Sequence, residues 1–224
     1  MQKSVIFIAG LVLVMLFGCK KKEYDLDMHY DYYPMQRGTY QIYDVIERNY
    51  LSNGQVNQLN YQLKTVIADT FIDNGGKTHY EFHRYKRPTA NDEWVFSDLW
   101  TTYRNGNAQE VVEENERMVK LIFPISKTTT WDANAYNLQS TQNCVYQNLF
   151  QPKTFNGLTF DKTVTVLQEE EHNLIMYRKK FEVYAKGVGL VQKHYQHYNI
   201  SYFDTTNIET GKDLYYSIVA HGVQ

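Results

Sequence analysis

The sequence lacks the residues on which several protein classes depend. It has only 4 prolines and 2 cysteines in 224 residues, too few for a proline-rich linker protein or a disulfide-stapled scaffold. It also lacks an excess of either charge, because 23 basic side chains face 25 acidic ones. Nucleic-acid-binding proteins usually carry a marked basic surplus, so we expect no nucleic acid as a partner. A chain of this length can form one domain with a core of its own.

Motifs of catalysis and of cofactor binding are also absent from the sequence. No Gly-x-Ser-x-Gly element, Walker loop or Cys-x-x-Cys pair occurs. The segment HYEFH, which runs from His79 to His83, departs from the His-Glu-x-x-His zinc motif and follows a Gly-Gly turn typical of a hairpin. On a strand, the two histidines would lie about 13 Å apart, too far to share one ion. We therefore predict no catalytic residue, no cofactor and no metal site.

Long apolar runs are missing except for one near the amino terminus. Lys3 precedes an apolar segment at residues 5–17. A helix of about 13 residues reaches only about 20 Å, which is short of the ~30 Å hydrocarbon core of a bilayer. The segment is therefore typical of a secretory signal rather than of a membrane span.

The apolar segment ends in Leu16-Phe17-Gly18-Cys19, and three lysines follow. Leu16, Gly18 and Cys19 resemble the lipobox of bacterial lipoproteins, although Phe17 is larger than the residue common at its place. The resemblance implies cleavage between Gly18 and Cys19 and a diacylglyceryl group with palmitate-type chains on the Cys19 thiol. Such chains would hold the protein on a membrane. In that family an aspartate after the cysteine retains the protein at the inner membrane. Lys20 stands here instead, which implies the outer membrane, on either face.

The remaining chain divides into a tether and one domain. We predict a signal peptide at residues 1–18, a lipidated amino terminus and tether at 19–37, and a single antiparallel β domain at 38–224. The tether is charged, rich in tyrosine and without periodicity. Cys144 has no second cysteine to pair with once Cys19 is acylated, so we expect it to be buried and inert.

Aromatic residues are abundant, with 20 Tyr, 11 Phe and 3 Trp. Aromatic side chains favour half-buried sheets, which predicts an all-β protein. The other interpretation is a ring-lined surface for a sugar or a lipid. Turn signals at 53–54, 74–76, 105–106 and 114–116 separate segments of strand length.

The first half therefore predicts a meander of about six strands. We expect a short helix within residues 131–143, capped by Asp132, and a last hairpin that turns near Thr210 and Gly211. The predicted fold is an antiparallel curved sheet or open half β-barrel, with few or no helices beyond the signal segment.

Candidate ligand-binding residues come from two strands of this predicted sheet. Leu59, Tyr61 and Leu63 alternate with polar residues, which places them on one face. Trp94, Phe96 and Trp100 share one parity in the same way. We expect these six side chains to line the concave face of the sheet.

Part of the second half shows a further resemblance. FNGLTFDKTVTV, followed by FEVYAKGVGLVQKHY, is similar to a loose group of secreted bacterial proteins and lipoproteins, over residues 155–195. This resemblance implies an incomplete β-barrel like that of the periplasmic lipoprotein carriers, and it transfers no ligand residues. In addition, Asp204-Thr205-Thr206 fits a short pattern for O-glycosylation of exported proteins, on Thr205.

Three functions remain open from the sequence. The first is a membrane-anchored binding module that holds a lipid-like or other apolar ligand in its concave face. The second is a structural or assembly lipoprotein, whose interior is packed and whose outside binds an envelope protein. The third and most remote is an enzyme that acts on glycans.

Overall fold

Twelve antiparallel strands form one sheet in residues 26–224, the part of the chain that the computed structural model describes. The signal segment and Cys19 lie outside these residues. The strands are β1 (Thr39–Tyr50), β2 (Val56–Ile72), β3 (Thr78–Arg87), β4 (Val95–Asn105), β5 (Ala108–Glu113), β6 (Glu116–Ile122), β7 (Thr130–Asp132), β8 (Asn143–Phe155), β9 (Leu158–His172), β10 (Met176–Ala185), β11 (Gly189–Ser201) and β12 (Asp204–Val223).

Two six-stranded meanders build this sheet, and together they confirm the all-β prediction. The strand order is β6-β5-β4-β3-β2-β1-β12-β11-β10-β9-β8-β7, so β1 and β12 join the two halves. Within residues 26–224 the helical structure is one 3-10 turn at Tyr30–Tyr32. No helix in the same part of the chain is long and apolar enough to cross a bilayer.

The two edges of the sheet meet, so that the sheet forms a nearly closed barrel. The backbone N–H of Val119 on β6 donates to the carbonyl of Ala133, just after β7, at 2.9 Å. The Trp131 indole Nε1–H donates back to the Val119 carbonyl at 3.0 Å. Beside them, the Tyr146 hydroxyl donates to the carbonyl of Ile122 and accepts from its N–H, at 2.8 and 2.9 Å. The Trp131 and Tyr146 side chains therefore form hydrogen bonds with backbone N–H and carbonyl groups at the edge of the sheet, which a neighbouring strand would otherwise pair.

The lower end of the barrel, where β1 begins and β12 ends, is filled by residues 26–37. Tyr32 is fully buried, and Tyr33 packs in the same core cluster. The carbonyl of Asp31 accepts a hydrogen bond from the N–H of Gly187, in the β10–β11 turn, at 2.8 Å. These residues belong to the segment predicted as a tether, and the structure places two of their rings inside the fold. Burial of two large rings explains why this segment packs against the barrel.

The tip of the β8–β9 hairpin folds back over β12. The Asn156 side-chain amide donates to the Ser217 hydroxyl and to the Ile218 carbonyl at 3.0 and 2.9 Å. Phe155 and Phe160 pack with the apolar side chains of β10, β11 and β12 in a second core cluster. The hairpin tip therefore contacts β12, a strand that is not its neighbour in the sheet.

Two predictions about local structure were wrong. Residues 131–143 form the end of β7, a loop and the first residue of β8, because the Asp132 carboxylate accepts from the N–H groups of Asn134 and Gln142 rather than capping a helix. The last hairpin turns at Tyr202 and Phe203, not near Gly211. Gly211 lies inside β12, where a Cβ atom would come within 2.4 Å of the carbonyl oxygen of His197.

Candidate functional site

A cavity of about 60 Å³ lies in the barrel interior, between the two meanders. This volume has room for a few water molecules, since one water needs roughly 10–15 Å³ of such space. Aromatic rings and charged groups share its walls. The lining residues are Tyr33, Pro34, Gln41, Tyr43, Leu63, Thr65, Phe82, Arg84, Trp100, Val111, Glu113, Lys120, Glu182, Tyr184, Gly189, Leu190, Lys193 and Tyr216.

Strand alternation brings these side chains to the cavity. Leu63 and Thr65 on β2 both line it, and so do Phe82 and Arg84 on β3. Residues two apart on a strand share a face, so this face of each strand is directed inward. The period-two pattern of β2 predicted the inward position of Leu63.

A buried ion-pair cluster crosses the cavity. Lys120 on β6 pairs with Glu113 on β5 and with Glu182 on β10, and its Nζ lies 3.3 Å from Glu182 Oε1. The Tyr184 hydroxyl donates to the other oxygen of Glu182 at 2.7 Å. The Lys120 and Glu182 side chains are only 7% and 2% exposed. Two carboxylates therefore share one ammonium group in a place that water hardly reaches.

The pKa values follow from this pairing. Burial alone would raise the pKa of Glu182, but Lys120, Lys193 and the Tyr184 hydroxyl outweigh it and lower the pKa to about 2. Burial would likewise raise the pKa of Glu113, yet Lys120 and Lys193 lower it. Burial opposes the charge on Lys120, and the two carboxylates overcome it and raise its pKa. All three groups are therefore ionised at neutral pH.

Two further cations that line the cavity have N–H groups without a hydrogen-bond acceptor among the described residues. Lys193 Nζ lies 3.7 Å from Glu182 Oε1, which is longer than a hydrogen bond. Arg84 pairs with Asp98 through Nη1 and lies on the Trp100 ring at 3.7 Å. The buried Arg84 Nε has no hydrogen-bond partner among the described residues. An unpaired buried donor such as Arg84 Nε is costly, and the Lys193 side chain is only 17% exposed, which makes both groups candidates for holding an acceptor.

The cluster has a surplus of positive charge. Arg84, Lys120 and Lys193 line the cavity together with Glu113 and Glu182. Two charged groups lie beside it: Asp98 pairs with Arg84, and Lys180 donates to the Gln142 side chain at 3.2 Å. Burial lowers the pKa of Lys180, and the nearby ammonium groups of Lys120 and Lys193 lower it further. An anion in the cavity would relieve this repulsion.

Two of the six predicted ligand-binding residues, Leu63 and Trp100, meet at the cavity. Tyr61 lies above it, partly buried against the core and 5.6 Å from Lys86 Nζ. Leu59, nearer the upper end of β2, is 59% exposed.

Trp94 and Phe96 do not join this group. Trp94 precedes β4 and lies under the Arg87 guanidinium at 4.2 Å. Phe96 pairs with Tyr85 and contacts the His83 ring, so it is on the outer face. The prediction that Phe96 and Trp100 share a face was wrong, because a bulge shifts the β3–β4 register between them.

The charged cluster was missed from the sequence, although one signal was present. Lys120 lies in the run MVKLIF, between Val119 and Leu121, and both neighbours are buried. A strand that is apolar on both faces has no solvent-exposed face on which a lysine could lie. Such a lysine must therefore find a buried partner.

Other predicted residues lie away from the cavity. His79 stacks on Phe71 at 5.0 Å and pairs with Asp73, while His83 pairs with Glu81. Within residues 26–224 no cluster of three or more His, Cys, Asp or Glu could hold a metal ion. Cys144 is buried, as predicted, and burial raises the pKa of its thiol to about 12. Thr205 is exposed at the start of β12, and its glycosylation stays a prediction.

Comparisons with known proteins found solved structures but no sequence relatives. No family model matches the chain, and no curated protein matches it. One similar structure is a "putative exported protein with YmcC-like fold" from Bacteroides fragilis, with 10% identity and a TM-score of 0.45 over 84% of this chain and 97% of that one. Another is a "putative lipoprotein" from Parabacteroides distasonis, with 10% identity and a TM-score of 0.41 over 85% and 98%.

Proposed function

We propose that the protein is a lipid-anchored envelope protein that binds a small carboxylate in its barrel interior. Leu16, Gly18 and Cys19 support the anchor, and Lys20 supports the outer membrane through the resemblance to lipoproteins. The ligand is a short organic acid. Its carboxylate group binds to Lys193 and Arg84, and its carbon atoms pack against the rings of Phe82 and Trp100.

The unsatisfied donors of Lys193 and Arg84 carry the proposal. Both groups line the same cavity, and neither Lys193 Nζ nor Arg84 Nε has a hydrogen-bond acceptor among the described residues. A carboxylate supplies two acceptor oxygens and the negative charge that the cluster lacks. Hydrogen bonds between charged groups are about twice as strong as neutral ones.

The size of the cavity supports a small ligand rather than a lipid-like one. Pockets for drug-sized ligands are about 300–1,000 Å³, while this cavity is about 60 Å³. A short acid of a few heavy atoms fits this space, and a fatty acid would require the barrel to open. The proposal therefore keeps a binding module but replaces the apolar ligand with an anionic one.

Catalysis on glycans gains no support from the same residues. Glycoside hydrolysis needs one carboxylic acid that is protonated near neutral pH beside one that is ionised. The pKa values of Glu113 and Glu182 are both lowered, and both groups pair with Lys120. This pair therefore lacks a proton donor.

Calorimetric titration of the detergent-solubilised lipoprotein tests the proposal. The titrants are acetate, propionate, butyrate, octanoate and inorganic phosphate. We expect binding of the short carboxylates and none of octanoate. Lys193→Met should weaken the binding by roughly tenfold or more, since a hydrogen bond to a charged group contributes about 1.5–3 kcal/mol.

Lys179→Met is the matched control, because Lys179 pairs with the exposed Glu170 and does not line the cavity. It should leave the affinity unchanged. Absence of binding by every short carboxylate, or equal affinities of wild type and Lys193→Met, would contradict the proposal.

A further inference from the structure

The turn between β11 and β12 presents two aromatic rings to solvent at the upper end of the barrel. Tyr202 and Phe203 are 84% and 56% exposed. They are the two central residues of the turn, because Ser201 pairs with Asp204 on either side. Phe203 contacts the exposed His172 ring edge-on at 5.7 Å, whereas most of the Tyr202 ring lies in solvent, so the fold alone does not account for the two rings.

The backbone of this turn makes the two rings more unusual. Tyr202 and Phe203 have φ values of 54° and 61°. Two-residue turns of this left-handed kind favour Asn-Gly, and bulky residues are strained in them. The β8–β9 turn of the same barrel uses the favoured pair, Asn156 and Gly157, at 47° and 82°. Strain of this kind often marks a functional position.

Two aliphatic side chains extend the exposed surface. Leu174 and Ile175, in the β9–β10 turn, are 48% and 63% exposed. The N–H of Phe203 donates to the Leu174 carbonyl at 3.2 Å, which ties the two turns together. We call the four side chains of Leu174, Ile175, Tyr202 and Phe203 the apolar corner. The β9–β10 and β11–β12 turns therefore present these four side chains on one contiguous surface.

Carboxylates surround the apolar corner. Glu171, Asp204 and Glu209 are exposed, and none of them forms an ion pair within residues 26–224. The charge of Glu170, in contrast, is compensated by Lys179 at 2.9 Å. The corner is therefore an apolar surface with a negative rim. A partner with a positive rim would complement it, whereas anionic lipid headgroups would repel it.

The position of the apolar corner also separates it from the anchored end. It lies beyond the start of β12, a strand of 20 residues that ends beside the beginning of β1. At ~3.3 Å per residue this strand is roughly 65 Å long. The segment that leads back to Cys19 packs at the lower end, through Tyr32. The corner is thus at the end of the barrel opposite the anchor.

We propose that the apolar corner docks in an apolar pocket of an envelope protein whose rim carries lysines or arginines. Tyr202 and Phe203 enter the pocket, and the three carboxylates pair with the basic rim. Aromatic residues in such positions dominate binding energy at interfaces. This docking is independent of any ligand in the barrel.

Site-specific photo-crosslinking in the native envelope begins the test. The crosslinking amino acid replaces Tyr202 in one strain and Ile72 in the control, since Ile72 is 71% exposed at the lower end. We expect one protein to be captured from position 202 and not from 72. That protein is then purified, and its affinity for the solubilised lipoprotein is measured by biolayer interferometry at low and high salt.

The double variant Tyr202→Asn/Phe203→Gly separates docking from folding, because it removes both rings and supplies the favoured turn sequence. Its melting temperature should equal or exceed that of wild type, while its affinity for the captured protein falls at least about tenfold. High salt should weaken wild-type binding. No capture specific to position 202, or equal affinities of the double variant and wild type, would overturn the proposal. So would ring-dependent binding of phosphatidylglycerol–phosphatidylethanolamine vesicles, which would assign the corner to a membrane.

Discussion

Lys120 on β6 and Glu182 on β10, which are 62 positions apart in the sequence, form an ion pair across the barrel interior, with Nζ 3.3 Å from Oε1. The pair links the first meander to the second at the level of the cavity. Glu113 and Tyr184 complete the hydrogen bonds of the two groups. A buried pair of this kind stabilises the fold only while both partners are present, since a single buried charge is strongly unfavourable.

Replacement of Glu182 by glutamine should therefore destabilise the protein by about 3–5 kcal/mol, because Lys120 keeps its charge and loses one of its two counter-charges. Urea unfolding followed by tryptophan fluorescence measures this free energy. Glu170→Gln is the control. Its carboxylate is exposed and pairs on the surface, so it should change the free energy by less than about 1 kcal/mol.

Stability should also fall in acid within a defined range. The pKa of Glu182 is lowered from 4.5 to about 2 in the folded protein. A lowered pKa adds stability above the unfolded value, and this stability is lost as the pH falls from 4.5 towards 2. The melting temperature, followed by circular dichroism from pH 7 to pH 2, should decrease in that range. The same decrease should be smaller in Glu182→Gln, and equal slopes would contradict the assignment.

Closure of the barrel rests partly on one hydroxyl group. Tyr146→Phe removes the group that donates to the Ile122 carbonyl and accepts from its N–H. Two partly buried edge groups of Ile122 lose their partner, so we expect a loss of about 1–3 kcal/mol and faster hydrogen exchange of the Ile122 amide. Tyr202→Phe, at an exposed position, should change neither quantity. Unchanged exchange at Ile122 would show that the edges do not depend on this contact.

Loss of the lipid anchor should release the protein from membranes. Cys19→Ala removes the thiol that the lipobox resemblance assigns to acylation, and no helix within residues 26–224 can replace the anchor by crossing a bilayer. The variant also carries a substituted cleavage site, so that its signal segment is removed without lipidation. Fractionation of cells that express it should find the protein outside the membrane fraction. A variant that still sediments with membranes would refute the role of Cys19.

The sequence predicted the parts of the fold that depend on local chemistry. Asn-Gly turns and alternating apolar residues identified the strands of the first meander, because left-handed turns favour those residues. The turn of the last hairpin was predicted at the wrong place for the same reason. Its turn consists of Tyr202 and Phe203, which are poor turn residues, while Gly211 serves a close strand contact instead.

The candidate site was less predictable, because it depends on contacts between distant strands. The inward position of Leu63 followed from the alternation of apolar and polar residues in β2. The bulge between β3 and β4, which the sequence did not predict, places Phe96 on the outer face. The meeting of Lys120 with Glu182 depends on closure of the whole barrel. Such non-local pairs leave only an indirect trace in the sequence, a charge inside an apolar strand.

The most direct test of the central claim is a nuclear Overhauser measurement between propionate and the protein in solution. If the barrel interior binds short carboxylates, the propionate methyl protons should show contacts with ring protons of Phe82 and Trp100, and these contacts should disappear in Lys193→Met. Contacts confined to exposed rings such as Tyr202, or none at all at saturating propionate, would contradict the account.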